Sequence, residues 1–346
     1  MRVVVLGATG NVGSALLRSL AGDDRIDEIV GFARRAPSFS VPKTVWVTGD
    51  IRTADLATLF DGAAAVVNLV WKIQPSRDRA ETRSVNIDGT ERVLDAVRRS
   101  KVPVLVHASS LAAYSPGPDD PLSRVDETWP TGGIASSFYA RDKAAAERRL
   151  DALEAELPSL RVVRLRPGMI FQRSAAEQIR RYFLGPFWPS PLVRPGFVPV
   201  APVPRDVRAQ VVHADDVAEA YRMAIVSPQM VGAYNVAAPD PLSPRMIAET
   251  LGGLPLPISS RQLRAIADLT WKARLQPTPP GWVDLAALSP LMDCSRLTAL
   301  GWTARHDGQS TFRELLDGLR DQAGGPTPPL LPGGRTEQIR TGVGGD

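Results

Sequence analysis

The sequence has little that would build a cross-linked or metal-binding protein. Among its 346 residues there is one cysteine, Cys294, and there are three histidines, His107, His213 and His306. One cysteine cannot form a disulfide within the chain, and no Cys/His grouping has the spacing of a metal site. We therefore expect neither a disulfide framework nor a bound metal.

Lysine is also scarce, so the net charge of +4 comes mainly from arginine. The arginines occur in short, scattered pairs, and no long basic block with interleaved aromatic residues is present. This distribution argues against a nucleic-acid partner.

Long hydrophobic runs are missing as well. The longest, residues 63–71, is interrupted by Asn68 and falls well short of the roughly 20 residues of a membrane span. The chain begins directly in an apolar run, so we expect no signal peptide, no membrane contact and a cytoplasmic location. A composition of 44% hydrophobic and 23% charged residues is typical of a soluble globular protein of one large or two modest domains.

The first half of the chain alternates strand-like and helix-like runs. Strands are predicted at 2–6, 28–33, 44–47, 64–70, 103–107 and 160–165, and helices at 13–20, 54–60, 85–99 and 138–156. The strands are near-continuous Val/Ile/Leu runs, as expected for parallel strands buried on both faces. We therefore predict an α/β fold, a Rossmann-type doubly wound parallel sheet, with ligands at the carboxyl ends of its strands.

The second half is less regular. Short strands are predicted at 210–212 and 234–236, and helices at 217–225, 245–251, 261–273 and 311–322. We predict a nucleotide-binding domain over 1–170, to which 207–240 returns, and a smaller, mostly C-terminal substrate-binding or cap region at 171–206 and 241–323. The Gly/Pro-rich residues 324–346 are predicted to be a disordered tail.

A glycine-rich turn, Gly7-Ala8-Thr9-Gly10-Asn11-Val12-Gly13, lies between the first predicted strand and helix. Backbone N–H groups at a helix N-terminus bind anions, and glycine permits a tight turn and a close ligand. The spacing is GxxGxxG, whereas the standard dinucleotide fingerprint is GxGxxG. The turn predicts a phosphate site formed by Gly7, Thr9, Gly10, Asn11, Val12 and Gly13.

Polar side chains further along the chain indicate acid–base chemistry. Tyr139 and Lys143 are four residues apart and share one face of a predicted helix. A nearby ammonium group favours the phenolate, so Lys143 is expected to lower the pKa of Tyr139. Ser109 and Ser110 follow the strand 103–107, where a hydroxyl group would meet a ligand.

With these motifs the sequence resembles the extended short-chain dehydrogenase/reductase family, its NAD(P)-dependent epimerase/dehydratase group, over about residues 1–320. The resemblance selects Ser110 over Ser109, because the family's serine lies four residues before an aromatic residue, here Tyr114. It implies a catalytic triad of Ser110, Tyr139 and Lys143. The cofactor contacts that it implies outside the glycine turn are Asp50, Ile51, Asn68, Leu69, Asn86, Tyr139, Lys143 and Pro167.

Two features narrow the implied chemistry. Dehydratases of this group carry an Asp-Glu pair just after the catalytic hydroxyl residue, and Leu111 and Ala112 stand there instead, which argues against water elimination. The second strand ends in Arg34-Arg35 without an acidic residue that would bind the ribose 2′-OH of NAD. Two guanidinium groups suit a 2′-phosphate, so NADP(H) is favoured and NAD(H) is the alternative.

The resulting hypothesis is an NAD(P)-dependent oxidoreductase that transfers hydride between nicotinamide and a carbonyl or secondary alcohol of a small molecule. Tyr139 would exchange the proton, Lys143 would hold the nicotinamide ribose, Ser110 would bind the substrate oxygen and Asn86 would support the proton path. The resemblance also implies a homodimer.

Two alternatives remain open. One is a sugar-nucleotide epimerase with bound NAD, for which the cap region offers positive charge from Arg173, Arg180, Arg181, Arg194 and Arg205. The other is a non-catalytic NADP(H)-binding sensor or regulator. Candidate substrate contacts are the segment 71–75, which follows the fourth strand, and the aromatic segment 182–188, while His213 is expected to belong to a helix-capping segment.

Overall fold

The central element is a parallel sheet. The computed structural model describes residues 1–73, 77–187, 190, 200–205 and 207–332. Numbered along the chain, the strands of the large sheet are β1 (Arg2–Leu6), β2 (Glu28–Ala33), β3 (Thr44–Thr48), β4 (Ala65–Asn68), β5 (Val104–Ala108), β7 (Arg161–Pro167) and β11 (Gly232–Val236). Their order is β11-β7-β5-β4-β1-β2-β3, and every pairing is parallel.

Helices cover both faces of this sheet. They are α1 (Asn11–Ala21), α2 (Leu56–Phe60), α3 (Arg79–Arg83), α4 (Gly89–Ser100), α5 (Phe138–Glu156) and α7 (Ala214–Val226). Apolar side chains of α1 and α7 fill the core on one face, and those of α2, α4 and α5 contribute to the core on the other. Because β1, β2 and β4 are buried on both sides, their sequences are apolar runs, and the predicted Rossmann-type fold is confirmed.

The smaller elements come mostly from the second half of the chain. The remaining helices are α6 (Ala176–Ile179), α8 (Pro244–Thr250), α9 (Ser260–Lys272), α10 (Gly281–Leu288), α11 (Ser295–Thr298) and α12 (Gly308–Arg320). The short strands pair as β6 (Arg124–Val125) with β13 (Leu291–Met292), β8 (Met169–Phe171) with β10 (Val211–His213), and β9 (Val200–Pro204) with β12 (Leu254–Ile258). His213 caps α7 by accepting the N–H of Asp215, which confirms the expected capping segment.

The helix predicted at 85–99 is interrupted at its start. Residues Ser84–Asp88 form a wider π-helical turn, and the regular helix α4 begins at Gly89. Such single-turn bulges often lie at functional sites. This one carries Asn86, whose side chain is completely buried.

The chain departs from its prediction after residue 323. The Gly/Pro-rich composition predicted a disordered tail, but residues 324–332 form a compact turn in which Thr327 and Leu330 are buried. The prediction is wrong for these residues because composition does not report the specific contacts made by Thr327 and Leu330. The predicted tail residues 333–346 lie outside the described residues.

Among the described residues, no helix combines the length and hydropathy needed to cross a bilayer. The same part of the chain brings together no group of three His, Cys, Asp or Glu side chains that could hold a metal ion.

Candidate active site

The glycine turn follows β1 at the carboxyl edge of the sheet. Gly7 has φ of +81°, a left-handed conformation that favours glycine. Gly13 packs against the same turn so closely that a Cβ atom there would lie 2.4 Å from the Gly7 carbonyl oxygen. The helix α1 therefore starts directly behind the turn, with its N-terminus towards the opening between β1 and β4.

A cleft of about 370 Å³ opens at this edge. At this point the strand order switches direction, because β2 and β3 lie on one side of β1 and β4 and β5 on the other. Eight of the predicted cofactor residues line the cleft: Gly7, Thr9, Gly10, Arg34, Arg35, Asp50, Ile51 and Leu69. The structure thus gathers residues from four separate chain segments into one elongated site.

The charged groups in the cleft differ in their partners. Arg34 and Arg35 are exposed and form no ion pair or hydrogen bond with any residue that the structure describes. Asp50 is engaged by Arg52, which hydrogen-bonds both of its carboxylate oxygens. These contacts to Arg52 hold the pKa of Asp50 below its usual value. Positive charge at the end of β2 is therefore available to an anion.

The other predicted cofactor residues do not line the cleft: Asn11, Val12, Gly13, Asn68, Asn86, Tyr139, Lys143 and Pro167. Asn11 contacts Gln172 and the Ile170 carbonyl group. The Asn68 side chain caps the end of β4 by accepting the Val70 N–H at 3.2 Å. Pro167 is buried at the end of β7.

Asn86 acts on the loop after β4. Its Oδ1 accepts the Lys72 N–H at 2.7 Å, and its Nδ2 donates to the Lys72 carbonyl oxygen at 3.2 Å. This two-point clamp fixes the backbone next to Trp71. Asn86 also lies close enough to Asp142, near the start of α5, to favour the ionised form of that carboxyl group, so it is adjacent to both the loop and the helix that carries Tyr139 and Lys143.

The three predicted catalytic residues converge at one end of α5. The Ser110 side chain lies close enough to Tyr139 to favour its ionised form, and the Ser110 hydroxyl oxygen accepts the Ala112 N–H at 3.1 Å. The Lys143 ammonium group donates to the Ala108 carbonyl oxygen at 2.6 Å, so it is bound to the end of β5, two residues before Ser110. Ser109 is turned away into the core, where its hydroxyl donates to Glu147. This geometry favours Ser110 over Ser109.

Burial dominates the protonation of this site. It raises the pKa of Tyr139 to about 12, against the effect of Ser110. It also lowers the pKa of Lys143 to about 7, although the charges of Glu147 and Asp142 oppose this shift. The Lys143 ammonium nitrogen lies 5.9 Å from the centre of the Tyr139 ring. The expected lowering of the tyrosine pKa by lysine is therefore wrong for this arrangement, because desolvation of the phenolate is the larger effect.

Aromatic side chains cluster around the Tyr139 ring. We call Trp71, Phe138, Phe183 and Trp282 the aromatic wall. Trp282 stacks on the Tyr139 ring at 5.0 Å, and Phe183 meets Trp282 edge-on at 4.9 Å. Arg79 lies over the Phe138 ring. The indole N–H groups of Trp71 and Trp282 are buried without a hydrogen-bond partner in the described part of the chain.

Trp71 stands between the cleft and the converged triad. It lines the cleft, meets the Tyr139 ring edge-on at 6.3 Å and covers the Lys143 ammonium group at 3.5 Å from its ring centre. Tyr139 and Lys143 are therefore adjacent to the cleft but separated from it by one indole ring.

A buried ionic cluster lies beneath the triad. It comprises Ser109, Tyr114, Glu147, Arg164 and Arg166, and we call it the Glu147 cluster. Both carboxylate oxygens of Glu147 accept hydrogen bonds from Arg166, at 2.9 and 3.0 Å, and one of them also accepts a hydrogen bond from Arg164 at 2.9 Å. Burial opposes the ionisation of Glu147, but the hydrogen bonds and charges of the two arginines outweigh it and lower the pKa to about 2.

Sequence reasoning missed several residues of this region. Glu147 follows Lys143 by one helical turn, and β7 carries Arg164 and Arg166 in an otherwise apolar run. Arginines in a buried strand require a buried acid, so this signal was available. Gln178, Pro328 and Pro329 also line the cleft, and nothing in the local sequence around them indicates it. Tyr182, from the aromatic segment proposed for the substrate, lines it as well.

The chain is similar to known proteins in both sequence and fold. A model of the NAD dependent epimerase/dehydratase family matches residues 3–237. An uncharacterised protein of Mycobacterium tuberculosis is 26% identical over 299 residues, which cover 86% of this chain but 27% of that protein. The chain thus spans about a quarter of the length of this relative.

Two further similarities concern proteins with a stated activity. A 3-beta-hydroxysteroid dehydrogenase of Mycolicibacterium neoaurum is 29% identical over 191 residues, 53% of this chain and 51% of that protein. The crystal structure of a Thermus thermophilus UDP-glucose 4-epimerase in complex with NAD superposes with a TM-score of 0.65 at 22% identity, covering 92% of this chain and 99% of that one. At this identity the likeness to the epimerase concerns the fold.

Proposed function

The chain belongs to the NAD dependent epimerase/dehydratase family, a family of NAD-dependent enzymes, and we propose that it oxidises or reduces an apolar small molecule at a secondary alcohol or carbonyl carbon. The observation that carries the proposal is the convergence of Ser110, Tyr139 and Lys143 inside the aromatic wall. The predicted family, fold and enzyme class are confirmed, whereas the reaction, the roles of the residues and the substrate are proposals.

The cleft suits a nicotinamide dinucleotide. A Cβ atom on Gly7 would lie only 3.1 Å from the backbone carbonyl carbon of Leu69, so a side chain does not fit there. At Gly7 a pyrophosphate would therefore face backbone rather than a side chain. Thr9 and Gly10 would hold the phosphates, Asp50 and Ile51 the adenosine end, and Arg34 and Arg35 a 2′-phosphate. When bound, the nicotinamide supplies or accepts the hydride.

The protein's own groups handle the proton and the substrate oxygen. Because its pKa is raised, Tyr139 keeps its proton at neutral pH, which is the form needed to donate to a carbonyl oxygen during reduction. Ser110, next to Tyr139, would orient the same oxygen. Lys143 would contribute positive charge next to Tyr139 and would bind the nicotinamide ribose once Trp71 has moved aside.

The surroundings of Tyr139 favour an apolar substrate. The aromatic wall offers flat apolar surface with two indole N–H donors, and ligand pockets of this kind combine a hydrophobic lining with few polar groups. The steroid dehydrogenase to which the chain is similar is named for a ring substrate of this class. A flat, ring-containing alcohol or ketone would therefore suit this site.

Three of the arginines considered for a sugar nucleotide already have partners. Arg173 forms an ion pair with Asp321 at 2.7 Å, and the buried Arg180 pairs with Glu177. Arg181 donates to the carbonyl groups of Pro329 and Leu331. Arg205 is exposed, and Arg194 lies outside the described residues. A diphosphate bound by Arg173, Arg180 or Arg181 would have to displace the existing contacts of that arginine, which speaks against the epimerase alternative.

A substrate comparison tests the proposal. The protein should oxidise NADPH or NADH with apolar cyclic ketones, at a kcat/KM at least about a hundredfold above that for open-chain polar ketones, and should not interconvert UDP-glucose and UDP-galactose. Reactions are followed by nicotinamide absorbance and, for the sugars, by chromatography. Epimerisation of UDP-sugars without added cofactor would refute the proposed substrate class, and binding of a dinucleotide without turnover of any substrate would favour a sensor.

Cofactor choice gives a separate prediction. Replacing Arg34 by alanine should raise the KM for NADPH about tenfold or more, because a charged hydrogen bond to the 2′-phosphate is lost, and should change the KM for NADH little. Arg99→Ala, in the helix α4 and outside the cleft, is the matched control. An equal effect of Arg34→Ala on both cofactors would show that Arg34 does not read the 2′-phosphate.

A further inference from the structure

The C-terminal residues 323–331, which we call the strap, cross the phosphate end of the cleft. Pro328 and Pro329 line the cleft together with Gly7, Thr9 and Gly10. The strap is held in a fixed shape by its own hydrogen bonds, since Gly325 N–H donates to the Leu330 carbonyl oxygen at 2.7 Å. Leu330 is 1% exposed, so this turn is anchored in the protein.

One end of the strap is fastened to the glycine turn. The Thr327 hydroxyl is buried and donates to the Thr9 carbonyl oxygen at 2.7 Å. The bond joins residues that are 318 positions apart in sequence. The acceptor, Thr9, belongs to the glycine turn, whose backbone would face the phosphates.

The other side of the strap is fastened to the cap region. The guanidinium group of Arg181 donates to Leu331 at 2.7 Å and to Pro329 at 2.6 Å, in both cases to the carbonyl oxygen. The Glu177 N–H donates to the Ala323 carbonyl oxygen at 3.1 Å. Gln178 and Tyr182, on the same cap segment, line the cleft beside the strap. The strap therefore bridges the two walls of the cleft.

We propose that the strap is a gate of the cofactor site: it covers the phosphate end of a bound nicotinamide dinucleotide and must open for the dinucleotide to enter or leave. This inference rests on the dinucleotide site proposed above. Pro328 and Pro329 have no N–H donors and restricted backbones, so they form a stiff cover while the Thr327 bond acts as its latch. Opening requires loss of the Thr327 bond and of the Arg181 contacts, and it breaks no covalent bond.

A gate has a kinetic signature that a simple contact lacks. A weaker latch raises the fraction of open molecules with and without the cofactor, so association and dissociation become faster together and the dissociation constant changes little. Thr327→Val keeps the shape of the side chain and removes the hydroxyl donor. Both rate constants are expected to rise about fivefold, the usual value of one hydrogen bond.

Stopped-flow fluorescence of NADPH and NADH measures both rate constants, with excess NADP⁺ or NAD⁺ as the displacing ligand. Thr250→Val is the matched control, because the Thr250 hydroxyl also donates to a backbone carbonyl oxygen, that of Met246 at 2.6 Å, and the residue does not line the cleft. A second variant, Pro328→Gly with Pro329→Gly, loosens the cover without touching the latch and should also raise both rates.

The outcomes separate the gate from the proposed function. Rates in both strap variants equal to those of the unaltered protein, or an equal change in Thr250→Val, would overturn the gate while leaving the dinucleotide site intact. Faster dissociation without faster association would show a contact and no gate, and would overturn it as well. If the unaltered protein binds neither dinucleotide, the proposed function fails and the gate fails with it.

Discussion

Tyr139→Phe is expected to lower kcat by about a thousandfold or more, which is the usual cost of removing a general acid. The phenol is the one group that the structure places both in contact with Ser110 and within the aromatic wall. Phenylalanine keeps the ring that stacks on Trp282, so the packing and the dissociation constant of NADPH or NADH should be preserved. Steady-state kinetics and fluorescence titration measure the two quantities.

The matched control is Tyr234→Phe. Its hydroxyl group accepts the Val231 N–H at 3.3 Å near β11, away from Ser110 and Lys143, and its removal should leave kcat unchanged. If Tyr139→Phe retains more than about a tenth of the activity, Tyr139 is not the proton donor. The triad would then have to be reassigned even though its geometry is intact.

Glu147→Gln is expected to destabilise the protein by about 3–5 kcal/mol. Glutamine nearly keeps the shape of glutamate but removes the carboxylate that pairs with the buried Arg166. It also removes one of the three carboxylates that pair with Arg164. Both arginines are about as buried as Glu147, with side-chain exposures of 6% and 5% against 1%. Guanidinium or urea unfolding measures the loss of free energy.

The control for this substitution is Glu249→Gln, which removes one partner of the exposed Arg245–Glu249 pair. Its effect should stay below about 1 kcal/mol. A loss in Glu147→Gln no larger than in this control would mean that the Glu147 cluster does not hold the site together.

The pH dependence of the unfolding free energy follows from the direction of the Glu147 pKa shift. The pKa of Glu147 is lowered on folding, from 4.5 to about 2. The stability that ionised Glu147 contributes is present in full above the pKa that Glu147 has in the unfolded chain. It is lost as the pH falls through the pKa that Glu147 has in the folded protein. The acid limb of the unfolding free energy should therefore flatten in Glu147→Gln.

Local patterns predicted much of this molecule. The strands of the large sheet and the long helix α5 were predicted within a few residues, because strands buried on both faces are near-continuous apolar runs separated by helical segments. The short strands β6, β8, β9, β12 and β13 were not predicted. The glycine turn, Arg34-Arg35 and the Tyr139–Lys143 spacing are likewise local, and the structure brings them to the same edge of the sheet.

What could not be predicted depends on residues distant in sequence. The protonation of Tyr139 depends on burial by Trp282, and the environment of Lys143 depends on Trp71 and the Ala108 carbonyl group. The order of residues 324–332 depends on the bond between Thr327 and Thr9. None of these contacts leaves a pattern in the local sequence. The sequence therefore predicted a phosphate site at the glycine turn, but it could not predict that the strap lies over that turn.

The position of Trp71 gives the site an optical reporter of its own. Its indole ring borders the cleft and touches both Tyr139 and Lys143, so a reduced nicotinamide that reaches these residues must come next to it. Indole emission excites reduced nicotinamide by energy transfer at such short range. Light absorbed by Trp71 should consequently emerge at the longer wavelengths of the reduced cofactor, and this sensitised signal should disappear as the cofactor is oxidised, without any added label.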